Sequence, residues 1–385
     1  METSLSGLRG MHTSFEIADA SSVAFARRGA NDAARKGALD DTDTGRVALI
    51  VTEAATNILK HAQHGELLVR ALPADARGEL AEGVEIIAVD KGPGMQDVRH
   101  AFHDGRSTAG SPGTGLGAIN RLSDELCVYS QPRLGTALRA VVRSRGANAR
   151  AGRPASGTDI GGICVPYPGE SVCGDAWGVD ADQHGVTITV ADGLGHGPDA
   201  YVAAASAIDV VRRRAGRSPA TLMQLAHSAL RPTRGAAVAI ARLDLARAQL
   251  AFAGTGNVAA SIFNVARPAS VSGGARLATS ALGHGANAST SGARNSWQLT
   301  SRNGIVGHTM RDSPELEIPW TRNALLILHS DGIGTRWDLA AYPGLHLQPA
   351  VMIAAVLYRD FSRHRDDATV VVVKADQQST CMGPD

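Results

Sequence analysis

The sequence lacks the features that would assign it at once to several common classes. No run of about 18 consecutive apolar residues occurs, which excludes an ordinary membrane-spanning helix, and the N-terminus has no apolar core of a secretory signal. Its 38 Lys and Arg residues balance 37 Asp and Glu residues, so neither a general nucleic-acid binder nor a polybasic membrane anchor is indicated. The four cysteines form no C-x-x-C pair, which argues against a zinc ribbon and favours reduced thiols. These absences predict a cytoplasmic protein without nucleic-acid or membrane partners.

The overall composition is typical of a globular protein. Apolar residues make up 44% and charged residues 19% of 385 residues, which is enough for two ordinary domains. Residues 144–158 (SRGANARAGRPASGT) are rich in Gly, Ala, Ser, Pro and Arg and have no periodicity, so they are typical of a linker. We therefore predict a first domain over residues 1–143, a linker over 144–158, a second domain over 159–376 and a tail over 377–385.

Hydrophobic periodicity predicts a different fold for each domain. In the first domain we expect helices at 44–62 and 116–125 and strands at 67–72, 84–90 and 136–142. Helices on one face of an antiparallel sheet, an α+β sandwich, accommodate that order. In the second domain we expect strands at 186–191, 236–243, 249–253, 324–329 and 368–374 and helices at 199–214, 220–230 and 349–361. This pattern predicts two packed sheets flanked by helices.

Two polar groups in the first domain point to a nucleotide site. Glu53 and Asn57 are four residues apart on the predicted helix, so both lie on one face and can hold water and a magnesium ion. Asp90 ends a predicted strand and is followed by Gly92 and Gly94. A buried Asp beside glycines can accept the exocyclic amine of adenine, because the backbone approaches the flat base closely.

A glycine-rich stretch, residues 110–117 (GSPGTGLG), directly precedes the second predicted helix. Successive backbone N–H groups and a helix N-terminus suit a polyphosphate. The stretch lacks the G-K-[ST] of a P-loop and the G-x-G-x-x-G of a dinucleotide site. Each piece alone is a weak signal, and it is their order that predicts an ATP site.

That order resembles the GHKL ATPases and, within them, the RsbT/RsbW-type anti-sigma-factor serine/threonine kinases, over about residues 44–142. The resemblance implies a Bergerat-type α/β sandwich that binds ATP and Mg²⁺, with Glu53 as catalytic general base and Asn57 as magnesium ligand. It also implies that residues 104–108 form a lid, and that the nucleotide-binding residues are Asn57, Asp90, Gly92, Gly94, Gly113, Gly115, Gly117 and Thr136. A domain that binds ATP without transferring phosphate is the alternative, and the retained Glu53 argues against it.

Acidic residues recur in the second domain. Asp192 and Asp331 end predicted strands, the pair Asp366 and Asp367 precedes another, and Asp175 lies in the segment CGDAW. A single Asp-Gly is usually a turn, but three of these four stations adjoin strongly apolar strands. Burying a carboxylate there is costly unless it is paired or bound to metal. All-oxygen ligands suit Mg²⁺ or Mn²⁺, and a pair of such ions supports hydrolysis of a phosphoester.

The segments GDAWG, ADGLGHG, AGTGN, NGIVG, SDGI and DDAT resemble the PPM-type metal-dependent protein phosphatases of the SpoIIE/RsbU/RsbX branch, over about residues 157–375. The resemblance implies an αββα sandwich with two Mn²⁺ or Mg²⁺ ions and catalytic roles for Asp192 and Asp331. The implied metal-site residues are Asp175 (in or near the outer shell), Asp192 (bridging), Gly193 (through its carbonyl), Asp331, and Asp366 in preference to Asp367. His196 in GLGHG is either a proton donor or a residue of a helix-capping loop, and the sequence leaves both interpretations open.

Together the two resemblances predict a bifunctional regulator, a Ser/Thr kinase fused to a phosphoserine/phosphothreonine phosphatase. The implied partner is a STAS-domain antagonist or scaffold protein of a partner-switching, stressosome-like pathway, and a regulator of a sigma factor is a further candidate. The alternative is a nucleotide-sensing module that transfers no phosphate and instead gates the phosphatase or the binding of a partner. The sequence does not indicate the oligomeric state.

Overall fold

The computed structural model describes residues 10–74, 82–101, 115–144, 157–263 and 296–375. Contacts divide the chain into two compact units. The N-terminal unit consists mainly of His12–Ala155 and Arg336–Phe361, and the C-terminal unit of Ser156–Thr335 and Ser362–Asp376. This grouping differs from the predicted domains in two places. Residues 10 and 11 group with the C-terminal unit, and Arg336–Phe361, whose neighbours in sequence are strands of the C-terminal unit, groups with the N-terminal unit. Within the described ranges, no helix combines the length and the hydropathy needed to cross a membrane.

The N-terminal unit contains a five-stranded antiparallel sheet of order β1-β2-β3-β5-β4. The strands are β1 (Thr13–Ile17), β2 (Gly65–Leu72), β3 (Gly83–Asp90), β4 (Glu125–Ser130) and β5 (Thr136–Arg143). The helices are α1 (Ala20–Lys36), α2 (Asp41–His61), α3 (Val98–Ala101) and α4 (Gly115–Leu122). Side chains of α1, α2 and α4 form one apolar core with alternate residues of the sheet. All five elements predicted from the sequence are present, with ends that differ by no more than three residues.

Helix α1 was missed by the sequence analysis. Its N-cap, Asp19, accepts a hydrogen bond from the backbone of Ser22, whose hydroxyl in turn bonds the backbone of Asp19. The residues that α1 buries completely are Ala26, Ala30 and Ala34. An all-alanine stripe has little hydrophobic contrast, so its periodicity is not visible in the sequence.

Helix α7 (Ala350–Phe361) forms where the sequence predicts it, but it contacts β3, β4 and β5 of the N-terminal unit. The hydroxyl of Tyr358 donates to a carboxylate oxygen of Glu66 at 2.8 Å. The hydroxyl of Tyr129 and the amide of Gln131 donate to the carbonyl of Pro343 at 3.2 and 3.1 Å. Glu66 and Tyr129 each adjoin a residue of the core, so they lie on the opposite sheet face. Segment 336–361 therefore covers the face that α1 and α2 leave open.

The C-terminal unit contains two five-stranded antiparallel sheets, of order β13-β10-β9-β8-β7 and β12-β11-β14-β15-β6. The strands are β6 (Thr158–Val165), β7 (Asp175–Ala181), β8 (Gly185–Gly193), β9 (Ala236–Asp244), β10 (Gln249–Thr255), β11 (Ala259–Phe263), β12 (Ser296–Leu299), β13 (Leu316–Pro319), β14 (Leu325–His329) and β15 (Ala368–Ala375). Helices α5 (Pro198–Arg213) and α6 (Pro219–Leu230) pack on the first sheet. The two sheets share a core that includes Trp177 and Phe252.

The expectation of reduced thiols holds for two cysteines and fails for a third. Cys164 and Cys173 are free and buried in the core of the C-terminal unit. Cys127, on β4, is disulfide-bonded. The sequence spacing gave no indication of this bond, because pairing depends on distance in space.

Candidate functional site

The structure brings the predicted adenine-site residues together at the end of β3. Asp90 is half-buried, and its Oδ1 accepts a hydrogen bond from the N–H of Gly92 at 2.8 Å. Thr136 lies opposite Asp90 in the β3–β5 register. Gly135 has φ +75°, and a Cβ there would stand 2.0 Å from the carbonyl oxygen of Asp90, so only glycine fits. Burial raises the pKa of Asp90, and the bond from Gly92 opposes that shift.

The loop that follows Asp90 (residues 91–97), here called the adenine loop, is held by hydrogen bonds to the β4–β5 turn. The N–H of Met95 donates to the hydroxyl of Ser130 at 2.9 Å, and the N–H of Arg133 donates to the carbonyl of Pro93 at 2.6 Å. Gly94, also predicted to bind nucleotide, lies in this loop with φ +67°. The loop therefore has a defined shape beside Asp90, as a pocket for a flat base requires.

Glu53 and Asn57 lie half-buried on α2, facing the first residue of α4. A Cβ added to Gly115 would stand 3.0 Å from Oδ1 of Asn57 and 3.2 Å from Oε2 of Glu53. The carboxylate and the amide thus adjoin the N-terminus of α4, where backbone N–H groups favour anions. Gly117, two residues further along α4, is buried. Gly113 and the predicted lid, residues 104–108, lie outside the described residues.

In the C-terminal unit the predicted acidic residues also converge. Asp175 and Asp192 are directly opposite each other on β7 and β8. Burial raises the pKa of Asp192 to about 9, and the charges of Asp175, Asp331, Asp366 and Asp367 all add to the shift. Burial likewise raises the pKa of Asp175 to about 8, although a hydrogen bond from Ser330 at 2.6 Å opposes it.

The three remaining carboxylates have different environments. Oδ2 of Asp331 accepts from the side-chain amide of Asn257 at 2.7 Å. Asp367 is buried, and its Oδ1 accepts from the backbone N–H of Tyr167 at 2.8 Å. Asp366 is half-buried, and burial followed by the charge of Asp331 raises its pKa. Gly193, predicted to offer its carbonyl, follows Asp192 directly at the end of β8.

The donor set fits a hard divalent cation, because burial and the charges of neighbouring carboxylates raise the pKa of Asp175, Asp192 and Asp366, and a positive charge among them would stabilise the ionised forms. As the side chains stand, however, no three Asp, Glu, His or Cys residues of the described ranges are arranged to hold one ion. The cluster supplies the right ligands in one place, and shared coordination requires rotation of the side chains. The predicted ligand assignment therefore stays a prediction.

Two residues beside this cluster were missed by the sequence analysis, Tyr167 and Glu170. Both lie in the loop between β6 and β7, and both contact His196. The loop has no periodic pattern, and Glu170 is 26 residues from its partner. Nothing in the sequence signals either contact.

Comparison with known proteins agrees with this geometry. Residues 17–142 match the profile of the histidine kinase-like ATPase domain. The chain belongs to this family of ATPases. Within it the chain is similar to the serine/threonine-protein kinase RsbT of Bacillus subtilis (strain 168), with 34% identity over 119 residues that cover 31% of this chain and 86% of RsbT.

A second relative corresponds to the other predicted half. The phosphoserine phosphatase RsbX of the same organism is 31% identical over 90 residues, which cover 23% of this chain and 45% of RsbX. The match thus spans less than half the length of RsbX. Among solved structures, RsbX in complex with magnesium is 19% identical and covers 57% of this chain and 96% of its own, with a TM-score of 0.45. The chain thus joins an RsbT-like ATPase part to a part that is similar to RsbX, and the predicted fold class is confirmed.

Proposed function

We propose that this protein is a bifunctional partner-switching regulator. Its N-terminal unit is an ATP-dependent protein serine/threonine kinase, and its C-terminal unit is a metal-dependent phosphoserine/phosphothreonine phosphatase. The observation that carries the proposal is that each unit gathers its own set of oxygen ligands, one beside a helix N-terminus and one among strand ends. The RsbT and RsbX relatives support the same pair of opposed activities.

In the kinase unit the chain would act mainly by positioning. Asp90 would accept the adenine amine and the N-terminus of α4 would hold the phosphates. Asn57 would bind Mg²⁺, and Glu53, one turn away on α2, would orient or deprotonate the hydroxyl of the substrate. Glu53 and Asn57 both adjoin Gly115, so base, metal ligand and phosphate site lie within a few ångströms of one another.

In the phosphatase unit the carboxylates would hold two Mn²⁺ or Mg²⁺ ions. Asp192 is the best candidate to bridge them, because the charges of all four other carboxylates act on it. Asp366 is favoured over Asp367 as a ligand, since Asp366 is half-buried whereas Asp367 is buried. The ions would supply charge neutralisation and an acidified water. Asn257 would orient Asp331.

The proposed substrate is a phosphorylatable STAS-domain antagonist or scaffold protein, as the resemblance to RsbT and RsbX implies. Incubation with labelled ATP, Mg²⁺ and a candidate STAS protein tests the kinase. Asp192→Ala is the background of choice, because it prevents the phosphatase from erasing the mark. We expect label on the acceptor, and Glu53→Gln in the same background should lose it. Bound nucleotide without label on any acceptor would contradict the kinase proposal.

Manganese-dependent release of phosphate from p-nitrophenyl phosphate tests the phosphatase. We expect activity in the wild type and none in Asp331→Ala. Asp312→Ala is the matched control, since Asp312 is an exposed aspartate of the same unit whose side chain accepts only from Gln224 at 3.5 Å. An unchanged rate in Asp331→Ala would show that the metal-site assignment is wrong.

A second candidate function is supported by segment 336–361. The segment groups with the nucleotide-binding unit, yet it begins five residues after Asp331 and ends five residues before Asp366. Its Pro343 is bonded to Gln131 in the turn that also fixes the adenine loop. In this alternative, nucleotide occupancy would act along the chain on the two segments that carry predicted metal ligands. In this alternative the ATPase unit is a sensor that gates the phosphatase.

Phosphatase rates with ATP, ADP and no nucleotide distinguish the two functions. Gating predicts that the rates differ in a chain that transfers no label to any acceptor. Tyr358→Phe, which removes the bond to Glu66 at a cost of about 1 kcal/mol, should then weaken the nucleotide effect more than the basal rate. Equal rates under all three conditions would exclude gating.

A further inference from the structure

Helix α2 is joined to both ends of α4 from a single face. Arg46, Glu53 and Asn57 follow one another at helical spacing on α2, so their side chains share that face. Glu53 and Asn57 adjoin Gly115 at the start of α4. Arg46, about two turns before Glu53, reaches the end of α4, where its Nε donates to the carbonyl of Leu122 at 2.9 Å. The two helices therefore run in opposite directions.

The guanidinium of Arg46 is buried and donates to two carboxylates besides this carbonyl. Nη1 donates to Oδ1 of Asp43 at 2.8 Å, and Nη2 donates to Oδ1 of Asp124 at 2.9 Å. Only 8% of the Arg46 side chain is exposed, and the Asp43 side chain is completely buried. Asp124 is itself fixed to β5, because its Oδ2 accepts from the N–H of Arg143 at 2.7 Å. Arg46 thus ties the C-terminal end of α4 to α2 and to the sheet.

The bond to Leu122 constrains the whole of α4. The helix has eight residues, which is about 12 Å, and Ile119 in its second half is completely buried in the core. The last carbonyls of a helix have no partner within it, and a cation there also complements the negative end of the helix dipole. With its end held by Arg46, α4 cannot slide along α2, so its first turn keeps its place beside Glu53 and Asn57.

We propose that Arg46 is a positioning residue for the triphosphate of ATP, because it fixes the end of α4 and so holds the first turn of α4 against Glu53 and Asn57. This inference rests on the proposed nucleotide site of the N-terminal unit. Arg46 touches no nucleotide in this scheme and acts through α4. Its loss should therefore weaken the contacts to the phosphates and spare those to adenine, which depend on Asp90 and the adenine loop.

Replacement of Arg46 by lysine tests this role and keeps a positive charge beside the buried Asp43. An ammonium group cannot reproduce the planar fork with which the guanidinium serves three acceptors. We expect Arg46→Lys to lower the affinity for ATP in the presence of Mg²⁺ about tenfold, measured by calorimetry. The affinity for adenosine, measured by NMR titration, should stay unchanged.

Arg139→Lys is the matched control. The Arg139 side chain is 11% exposed and donates to Glu85 and Glu125 at 2.5 and 2.9 Å, so its replacement removes comparable bonds. Arg139 stands on β5 between the core residues Leu138 and Ala140, hence on the sheet face opposite to α2 and α4. We expect this variant to lose stability in urea unfolding and to bind ATP as the wild type does.

Unchanged ATP affinity in a folded Arg46→Lys variant would overturn the role of Arg46. Equal losses of affinity for ATP and adenosine, or an equal loss of ATP affinity in Arg139→Lys, would also overturn it, since each would show a general effect of destabilisation. If Arg46→Lys does not fold, Arg46→Met combined with Asp43→Asn removes the buried charge as well and is judged by the same criteria. A wild type that binds no ATP would instead overturn the proposed nucleotide site.

Discussion

Replacement of Gly115 by alanine tests the nucleotide site with a single methyl group. The added Cβ would stand 3.0 Å from Oδ1 and 3.3 Å from Nδ2 of Asn57, and 3.2 Å from Oε2 of Glu53. Ordinary contacts of a Cβ begin near 3.4 Å, so both side chains must move by a few tenths of an ångström. These are the groups proposed to bind magnesium and to activate the hydroxyl. We expect Gly115→Ala to weaken magnesium-dependent ATP binding about tenfold, or about 1.4 kcal/mol.

The same substitution should not unfold the protein. Alanine in a helix is favoured over glycine by about 1 kcal/mol, which offsets much of the crowding. Gly45→Ala is the matched control, because Gly45 is exposed on α2 and nothing lies within 4 Å of its added Cβ. This control should raise the free energy of unfolding by about 0.5–1 kcal/mol and leave ATP binding unchanged.

Isothermal titration calorimetry with ATP and Mg²⁺, together with urea unfolding, measures both quantities. The reasoning requires that the two glycine variants differ in ATP affinity while both remain folded. Equal ATP affinity in Gly115→Ala and Gly45→Ala would refute the placement of Glu53 and Asn57 beside the phosphates. If Gly115→Ala loses ATP affinity because it unfolds, while Gly45→Ala stays folded, the expectation that the added methyl group causes only small side-chain movements would be wrong.

Three further expectations follow from the geometry. Asn57→Ala should abolish the magnesium dependence of ATP binding, and normal affinity by calorimetry would contradict its role as ligand. The pKa of Asp192 is raised to about 9. In EDTA, the contribution of Asp192 to stability is therefore complete below the ordinary value of 3.8 and is lost as the pH rises through 9. In urea unfolding, Asp192→Asn should reduce this fall of stability with pH, and an equally steep fall in the variant would contradict the raised pKa. Arg139→Met should destabilise the fold by about 3 kcal/mol in urea unfolding, because Glu85 is buried and two arginines hold its pKa well below the usual range; a loss under 1 kcal/mol would count against that network.

The elements that the sequence predicted share strong apolar runs. Strand β8 (VTITVAD) and strand β15 (ATVVVV at its start) bury nearly every residue, so composition alone identifies them. Strands β6 and β7 were missed because glycine and aspartate interrupt them. At Gly162 the interruption has a structural cause, since a Cβ there would stand 3.0 Å from the ring of Trp177. The close contact across the core requires glycine at this position, and the glycine interrupts the apolar pattern by which a strand is usually predicted.

The residues of the C-terminal candidate site likewise include some that the sequence predicted and some that only the structure shows. The aspartates at the ends of apolar strands could be predicted from the sequence as site residues, because burying a carboxylate beside a core strand is costly unless it is paired or bound to a cation. Glu170 and Tyr167 belong to an irregular loop, and only the structure shows that both contact His196. The partner of α7 was equally hidden. The helix stands between two strands of the C-terminal unit in sequence, but Tyr358 and Pro343 find their hydrogen-bond partners on the sheet of the N-terminal unit.

The two candidate sites differ in the groups that shift the pKa of their carboxylates. Asp90 is a single carboxylate whose pKa is raised by burial, and the hydrogen bond from the backbone N–H of Gly92 opposes that shift. Asp192 has four other carboxylates acting on it, so neutral pH leaves it protonated unless positive charge enters the cluster. Cation binding to the C-terminal unit must therefore release protons and stabilise that unit, whereas nucleotide binding to the N-terminal unit need not. The proposed metal site and the proposed nucleotide site therefore differ in whether the release of protons accompanies binding.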